Sequence, residues 1–382
     1  MSRHKIVTIV GTRPEVIKMA PVVLELLRRQ SVFDHTLVNT SQHREMLVSA
    51  MSLFGMEPDI DLKLMEENQS LASFASRSLS SLTNLLVELK PDLILIQGDT
   101  TTVMTAALAA FYQDIRVGHV EAGLRSFNRR HPFPEEINRS FVGLLADLHF
   151  APTERARQNL LRDGVAEDSI FVTGNTIVDA LQSIPPAETF DDQSLDRIDY
   201  DRMRVLLVTA HRRENHGAPL RAICQALKQL VDQFDDIEMV FPVHLNPNVR
   251  SLVNEELSGF PRIHLIEPTS YRDLLGLMRR CYLILTDSGG IQEESVSFHK
   301  PVLVLREVTE RPEVVEVGAG LVIGVDTERI VQEVSGLLND EEQYQRMSSA
   351  ENPFGDGHAA ERIVKILAER LPSEMTKALI AT

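Results

Sequence analysis

Cysteine is scarce: Cys224 and Cys281 are the two in 382 residues. Two thiols make neither a disulfide framework nor a multi-cysteine zinc site, so both read as small buried residues in a reducing compartment, which places the chain in the cytoplasm. No apolar run reaches the roughly 20 residues that span a bilayer. The opening stretch MSRHKIVTIVGTRPE turns polar after one short apolar run, so neither a membrane segment nor a cleaved export signal is expected. Basic residues are outnumbered, 39 Lys and Arg against 55 Asp and Glu, for a formal net charge of −16. Such a surface repels polyanions and excludes extended nucleic-acid or anionic-membrane binding, while a small anionic ligand in a local basic pocket stays open. HExxH is absent, and His211 and His216 stand at i, i+5 where a helical metal pair needs i, i+4. GTRPE, GNTIVDAL and DSGG all lack the three glycines of a dinucleotide fingerprint. The expectation is no metal, no nicotinamide and no other cofactor.

What is present is alternation. Short runs of Val, Ile and Leu recur between segments of helical period: Ile6 to Val10, Leu37 to Asn39, Leu93 to Ile96, Val117 to Val120, Leu148 to Phe150 and Ile170 to Thr173. After the polar, proline-containing stretch SIPPAETFDDQSLDRIDYD the pattern restarts with Val205 to Val208, Met239 to Val243, Ile263 to Ile266, Leu283 to Leu285, Val302 to Leu305 and Leu321 to Val325. This predicts an α/β chain of two doubly wound, Rossmann-like domains, residues 1–174 and 175–365, joined near residues 175–203.

Ligands of such sheets bind beyond the carboxyl ends of the strands. The residues there are Gly11-Thr12-Arg13, Gln42-His43, Gly98-Asp99 and Glu121 in the first half, and His211-Arg212-Arg213, His244 and Asp287-Ser288-Gly289-Gly290 in the second. Arginines, histidines and carboxylates at strand ends in both halves imply an active site in a cleft between the domains. Arg13 can meet a phosphate bidentately, with Lys18 one turn on as a point charge. The turn in LILTDSGGIQEES offers free N–H groups at a helix start, a site for an anion, unless the glycines only relieve backbone strain. Asp99, Glu121, Glu135 and Glu136 suit proton transfer, since crowding and burial raise a carboxylate's pKa. The competing reading makes Asp99 an N-cap and puts Glu135 and Glu136 on a helix dipole. Cations for a leaving phosphate beside carboxylates for a proton suggest elimination or substitution at a phosphorylated carbon.

Together GTRPEVIKMAPV, SQHREML, QGDTTT, GHVEAGLRS, PFPEEINR, VTGNTIVDAL, TAHRREN, LTDSGGIQEE, KPVLVLREVTERPE and NPFGDGHAAERI resemble the non-hydrolysing UDP-N-acetylglucosamine 2-epimerases, over about residues 5–366. The resemblance implies a glycosyltransferase-B-type architecture whose last helix, about residues 366–382, packs back on the first domain. It implies interconversion of UDP-N-acetylglucosamine and UDP-N-acetylmannosamine without a redox cofactor, a homodimer, and activation by the substrate in bacterial members. Position by position, Asp99, Glu121, Glu135 and His211 match catalytic residues, and Arg139 an arginine important for activity. Arg13, Ser288, Gly289, Gly290 and Glu294 match uridine-diphosphate contacts, with Glu294 on the ribose hydroxyls. Gln42, His43, Glu136, Arg212 and His244 match or adjoin the site of a regulatory second substrate molecule.

Two departures bear on the substrate. Arg129 and Arg130 stand where many members are uncharged or singly basic, and ESVSFHKP replaces a segment rich in alanine and proline. Extra arginines pair well with a sugar carboxylate, so a 2-epimerase of a related UDP-2-acetamido sugar, such as a diacetamido uronic acid, is the alternative. A glycosyltransferase of the same fold and a non-catalytic nucleotide-sugar sensor are further alternatives.

Overall fold

A computed structural model describes residues 3–40, 44–66, 69–186 and 189–371. The chain divides into two units: residues up to Ile184 together with those from Phe354, and Pro185–Pro353.

The first unit carries seven strands, β1 (His4–Val10), β2 (Phe33–Asn39), β3 (Ile60–Asp61), β4 (Leu93–Gln97), β5 (Arg116–Val120), β6 (Leu148–Ala151) and β7 (Ile170–Val172). They form one parallel sheet in the order β3-β2-β1-β4-β5-β6-β7. Helices cover both faces of such a sheet, so its central strands are apolar without alternation, and all five residues of β4 are buried. The second unit repeats the plan with β8 (Arg204–Thr209), β9 (Ile237–Pro242), β10 (Ile263–Ile266), β11 (Leu283–Thr286), β12 (Val302–Val304) and β13 (Gly320–Val322), parallel in the order β10-β9-β8-β11-β12-β13. Each unit has its own apolar core. The twelve apolar runs of the sequence are the twelve longer strands, within a residue or a few at their ends; the two-residue β3 carries no such run.

The boundary differs from the one expected at 174/175. The helix Thr176–Ser183 packs on the helix Arg13–Arg28 of the first unit and on the returning helix Ala359–Arg370. The buried Asp179 carboxylate accepts the backbone N–H groups of Ala359 (3.2 Å) and Ala360 (2.8 Å). It thereby caps a helix whose own N-cap, His358, makes no side-chain cap bond. The chain returns where Asn175 N–H donates to Phe354 O at 2.7 Å. The last described helix therefore begins at Ala359, earlier than the expected 366, and residues 372–382 lie outside the described residues. Both cysteines are free and buried, and burial pushes each thiol up to about 12. Among the described residues no helix is long and apolar enough to cross a membrane, and no group of three or more His, Cys, Asp or Glu side chains could hold a metal.

Candidate active site

In the first unit the strand order reverses between β1 and β4, and the turns after these strands open at that point. After β1 the chain passes Gly11, where a Cβ would come within 2.5 Å of the hydroxyls of Thr40 and Thr102. Only glycine fits there. Arg13 and Pro14 then begin the helix Arg13–Arg28. The Arg13 guanidinium is half-buried and has no hydrogen bond or ion pair among the described residues. The turn is braced from below by Glu15, whose buried carboxylate accepts Gly11 N–H at 2.6 Å and the Thr12 hydroxyl at 2.9 Å. Burial pushes Glu15 up to about 7; hydrogen bonds from Thr100, Gly11 and Thr12 pull the other way, and the charge of Asp99 adds to the rise.

Lys18 does not serve as the expected free point charge. It is buried and ion-paired with Glu121, whose side chain is 7 % exposed. Glu121 follows β5 directly with φ +64°, a left-handed conformation costing a non-glycine residue about 1–2 kcal/mol. That strain aims the carboxylate inward at the lysine, and a buried carboxylate without such a partner would be far costlier. Asp99 follows Gly98 after β4, and its carboxylate lies 2.5 Å from the Arg139 guanidinium. It is not the helix cap: Thr100 caps, accepting Val103 N–H at 3.3 Å. Asn138 donates to the Asp99 carbonyl at 2.8 Å, so the helix Glu135–Leu145 supplies two of the groups that fix Asp99.

Glu135, the first residue of that helix, is partly exposed. Glu136 is 1 % exposed and accepts Arg125 Nε (2.8 Å), Ser126 N–H (2.9 Å) and Phe127 N–H (3.0 Å). Burial alone would raise this carboxylate; the Ser126 amide and the Arg125 guanidinium outweigh it and hold Glu136 below the ordinary range. Glu136 is thus a brace for the loop after β5 and not a group open to a second substrate molecule. Gln42 and His43 lie outside the described residues.

In the second unit the order reverses between β8 and β11. Asp287 follows β11 at 0 % exposure and gathers the loop after β8: its Oδ2 accepts His211 N–H, Arg212 N–H and Asn215 Nδ2, each at 2.9 Å. Its Oδ1 is 3.1 Å from His211 Nδ1. Burial opposes the charge on Asp287, but the side chain and charge of His211 and these amides prevail and lower its pKa. The His211 ring stacks on His244, centroids 6.0 Å apart at 23°.

Ser288 caps the helix Gly289–Ser297 with its backbone alone; the hydroxyl makes no cap bond. Neither Gly289 nor Gly290 has a positive φ, and a Cβ on either would meet nothing closer than 3.9 Å. Relief of strain therefore does not explain this pair. Bare glycines leave the first N–H groups of the helix open, and the guanidiniums of Arg212 and Arg311 lie about one contact distance, 3.9 Å, from where the Gly289 Cβ would be. Two cations around an open helix N-terminus make a site for a phosphate. Glu294, one turn on and 7 % exposed, accepts the Tyr271 hydroxyl at 2.8 Å.

Sequence reasoning missed Arg311 and Glu15 as working residues, and named Asp287 only as part of the turn that follows its strand. Arg311 had a signal: Arg-Pro-Glu occurs twice, at 13–15 and 311–313, each time opening a helix. In the second case Arg311 is buried and ion-paired with Glu293.

Residues 25–368 match the family described as UDP-N-acetylglucosamine 2-epimerase. The chain is 48 % identical over 367 residues to the UDP-N-acetylglucosamine 2-epimerase of Bacillus subtilis, covering 96 % of each chain. It is 49 % identical over 370 residues to the enzyme of that name from Escherichia coli K12, covering 95 % of this chain and 98 % of the relative. Among solved structures, the UDP-GlcNAc 2-epimerase of Neisseria meningitidis bound to UDP-GlcNAc superposes with a TM-score of 0.89 at 44 % identity, covering 96 % of this chain and all (100 %) of that one. Full-length likeness at this level, together with two doubly wound units carrying these strand-end residues, makes the assignment plain: the chain belongs to the UDP-N-acetylglucosamine 2-epimerase family.

Proposed function

We propose that the chain interconverts UDP-N-acetylglucosamine and UDP-N-acetylmannosamine by eliminating UDP across C1–C2 and adding it back. The observation that carries the mechanism is the pairing at the strand ends of the first unit. Glu121 is ion-paired with Lys18 and Asp99 with Arg139, and Glu135 begins the neighbouring helix. The C2 proton of an acetamido sugar has no adjacent carbonyl to acidify it, so its removal must be coupled to loss of the C1 substituent. A carboxylate takes the C2 proton, the C2–H electron pair becomes the C1=C2 double bond, and the C1–O pair leaves on the β-phosphate. The product pair is UDP and 2-acetamidoglucal. Reprotonation of C2 on the opposite face and return of UDP to C1 complete the inversion.

The second unit supports the leaving group. The open helix start at Gly289, Arg212 and Arg311 suit the diphosphate and Glu294 the ribose, and the resemblance adds Arg13 as a uridine-diphosphate contact and His211 as a catalytic residue. UDP-N-acetylglucosamine is preferred to a uronic acid analogue because the relatives named for it match along nearly the whole chain. The epimerase reading also outranks a glycosyltransferase, which needs an acceptor and no C2 base. The proposal extends to a cytoplasmic homodimer serving surface-polysaccharide synthesis. The helices Leu71–Leu89, Thr101–Phe111 and Glu135–Leu145 pack side by side. Val87, Phe111, Tyr112 and Leu144 are 50–77 % exposed at the same end of that layer, an apolar patch suited to a second copy. The resemblance also supports activation by a second substrate molecule bound beside Arg212 and His244.

The experiment is epimerisation in D2O. Both sugar nucleotides recovered at equilibrium are expected to carry deuterium at C2, and long incubation to release traces of free UDP and the glycal. Epimerisation with the C2 hydrogen retained and no glycal would overturn the mechanism while leaving the substrate assignment standing.

A further inference from the structure

The stacked imidazoles of His211 and His244 are held in opposite ways. His244 Nδ1 accepts the backbone N–H of Asn246 at 3.1 Å, which leaves the proton of a neutral ring on Nε2. Burial, with the nearby His211 and His216, lowers the pKa of His244 and keeps that ring neutral. Against His211 stands the Asp287 carboxylate. Its Oδ2 is saturated by three N–H donors. Its Oδ1 is buried, has no hydrogen-bond donor of good geometry among the described residues, and lies 3.1 Å from His211 Nδ1. A buried carboxylate oxygen without a donor is costly, and the ring proton is the one within reach.

We propose that Asp287 is a positioning residue that keeps a proton on His211 Nδ1, while Asn246 N–H keeps His244 Nδ1 bare, so that His211 Nε2 alone of the stacked pair can exchange a proton with the leaving phosphate. As the C1–O bond breaks, its electron pair stays on the phosphate oxygen, and that oxygen takes the Nε2 proton of the doubly protonated ring. The Nδ1 proton remains facing Asp287. On re-addition the proton returns to Nε2 as the C1–O bond forms. His244 stays a fixed Nε2–H donor throughout. The logic is that of a histidine oriented by a buried carboxylate. The proton transfer rests on the epimerase reading; the two tautomers do not.

The test is a long-range proton–nitrogen correlation spectrum of the full chain with 15N-labelled histidine, saturated with UDP. His211→Gln and His244→Gln supply the assignments. A protonated Nδ1 on His211 and a bare Nδ1 on His244 are expected. In Asp287→Asn the amide oxygen can still accept the three N–H groups while the amide nitrogen faces His211 Nδ1. There the proton is expected to move to Nε2, with kcat falling about 100-fold and KM and UDP affinity staying within about threefold. A bare His211 Nδ1 in the parent overturns the proposal whatever the substrate. So does Asp287→Asn with kcat unchanged, or with kcat lost and the tautomer unmoved, which would mark a merely structural role. Should Asp287→Asn not fold, the parent spectrum still decides.

Discussion

Gly289 and Gly290 sit where alanine fits by both backbone and space. Alanine is the better helix former, by up to about 1 kcal/mol. Gly289→Ala and Gly290→Ala are therefore expected to leave the melting temperature unchanged or slightly raised while weakening UDP binding at least about tenfold, because the methyl group intrudes on the ligand and on nothing in the protein. Calorimetry of UDP binding beside a thermal melt checks both halves; destabilisation with intact affinity would return the glycines to a backbone role. The carboxylates predict the opposite division. Asp99→Asn, Glu121→Gln and Glu135→Gln are each expected to cut kcat by about 100-fold or more and to change UDP affinity little, since proton transfer is felt in the transition state alone. Full turnover in any one variant removes that residue from the chemistry.

Among elements, the start of the helix Arg13–Arg28 carries a pH-sensitive brace. Glu15 is raised from 4.5 to about 7 by burial, so the fold binds a proton through a window in which the unfolded chain has lost it. A raised carboxylate stabilises the fold less as pH increases across that window, by up to about 3 kcal/mol in all. Glu15→Gln keeps an acceptor for Gly11 N–H without the charge. Its stability relative to the parent is expected to be greater at pH 8 than at pH 5, read by urea denaturation at the two pH values. An equal difference at both would show that Glu15 ionises normally. The Glu136 brace works in the other sense, because its partners favour the charged form. Glu136→Gln is expected to destabilise by about 1–3 kcal/mol, with protection from hydrogen exchange lost first around Ser126 and Phe127.

The whole molecule shows its asymmetry under acid. His119 and His149 are register partners on β5 and β6, both buried and lowered to about 4, chiefly by burial. The charge that His119 would carry depresses His149 further. The unfolded chain takes up these two protons near the ordinary value of 6.5, so stability is lost as pH falls from there toward 4, at about 1.4 kcal/mol per pH unit for each proton. Both rings belong to the first unit. Hydrogen exchange during acidification is expected to show its sheet losing protection before that of the second unit; the reverse order would refute the assignment.

Sequence alone determined the class of fold, because parallel strands covered on both faces must be apolar throughout and so stand out as runs in the chain. It also determined which residues end those strands, and hence Arg13, Asp99, Glu121, His211 and the Ser288 turn. The resemblance supplied roles. Tertiary structure decided the pairings, since a buried charge is stabilised by whichever partner the fold brings within reach, and that partner is distant in sequence. Lys18 reads as a phosphate ligand until the turn after β5 places Glu121 against it, and Glu136 reads as a ligand residue until the 125–127 loop closes on it. The unit boundary was hidden for the same reason: Asp179 belongs to the first unit because it caps a helix that begins 180 residues later.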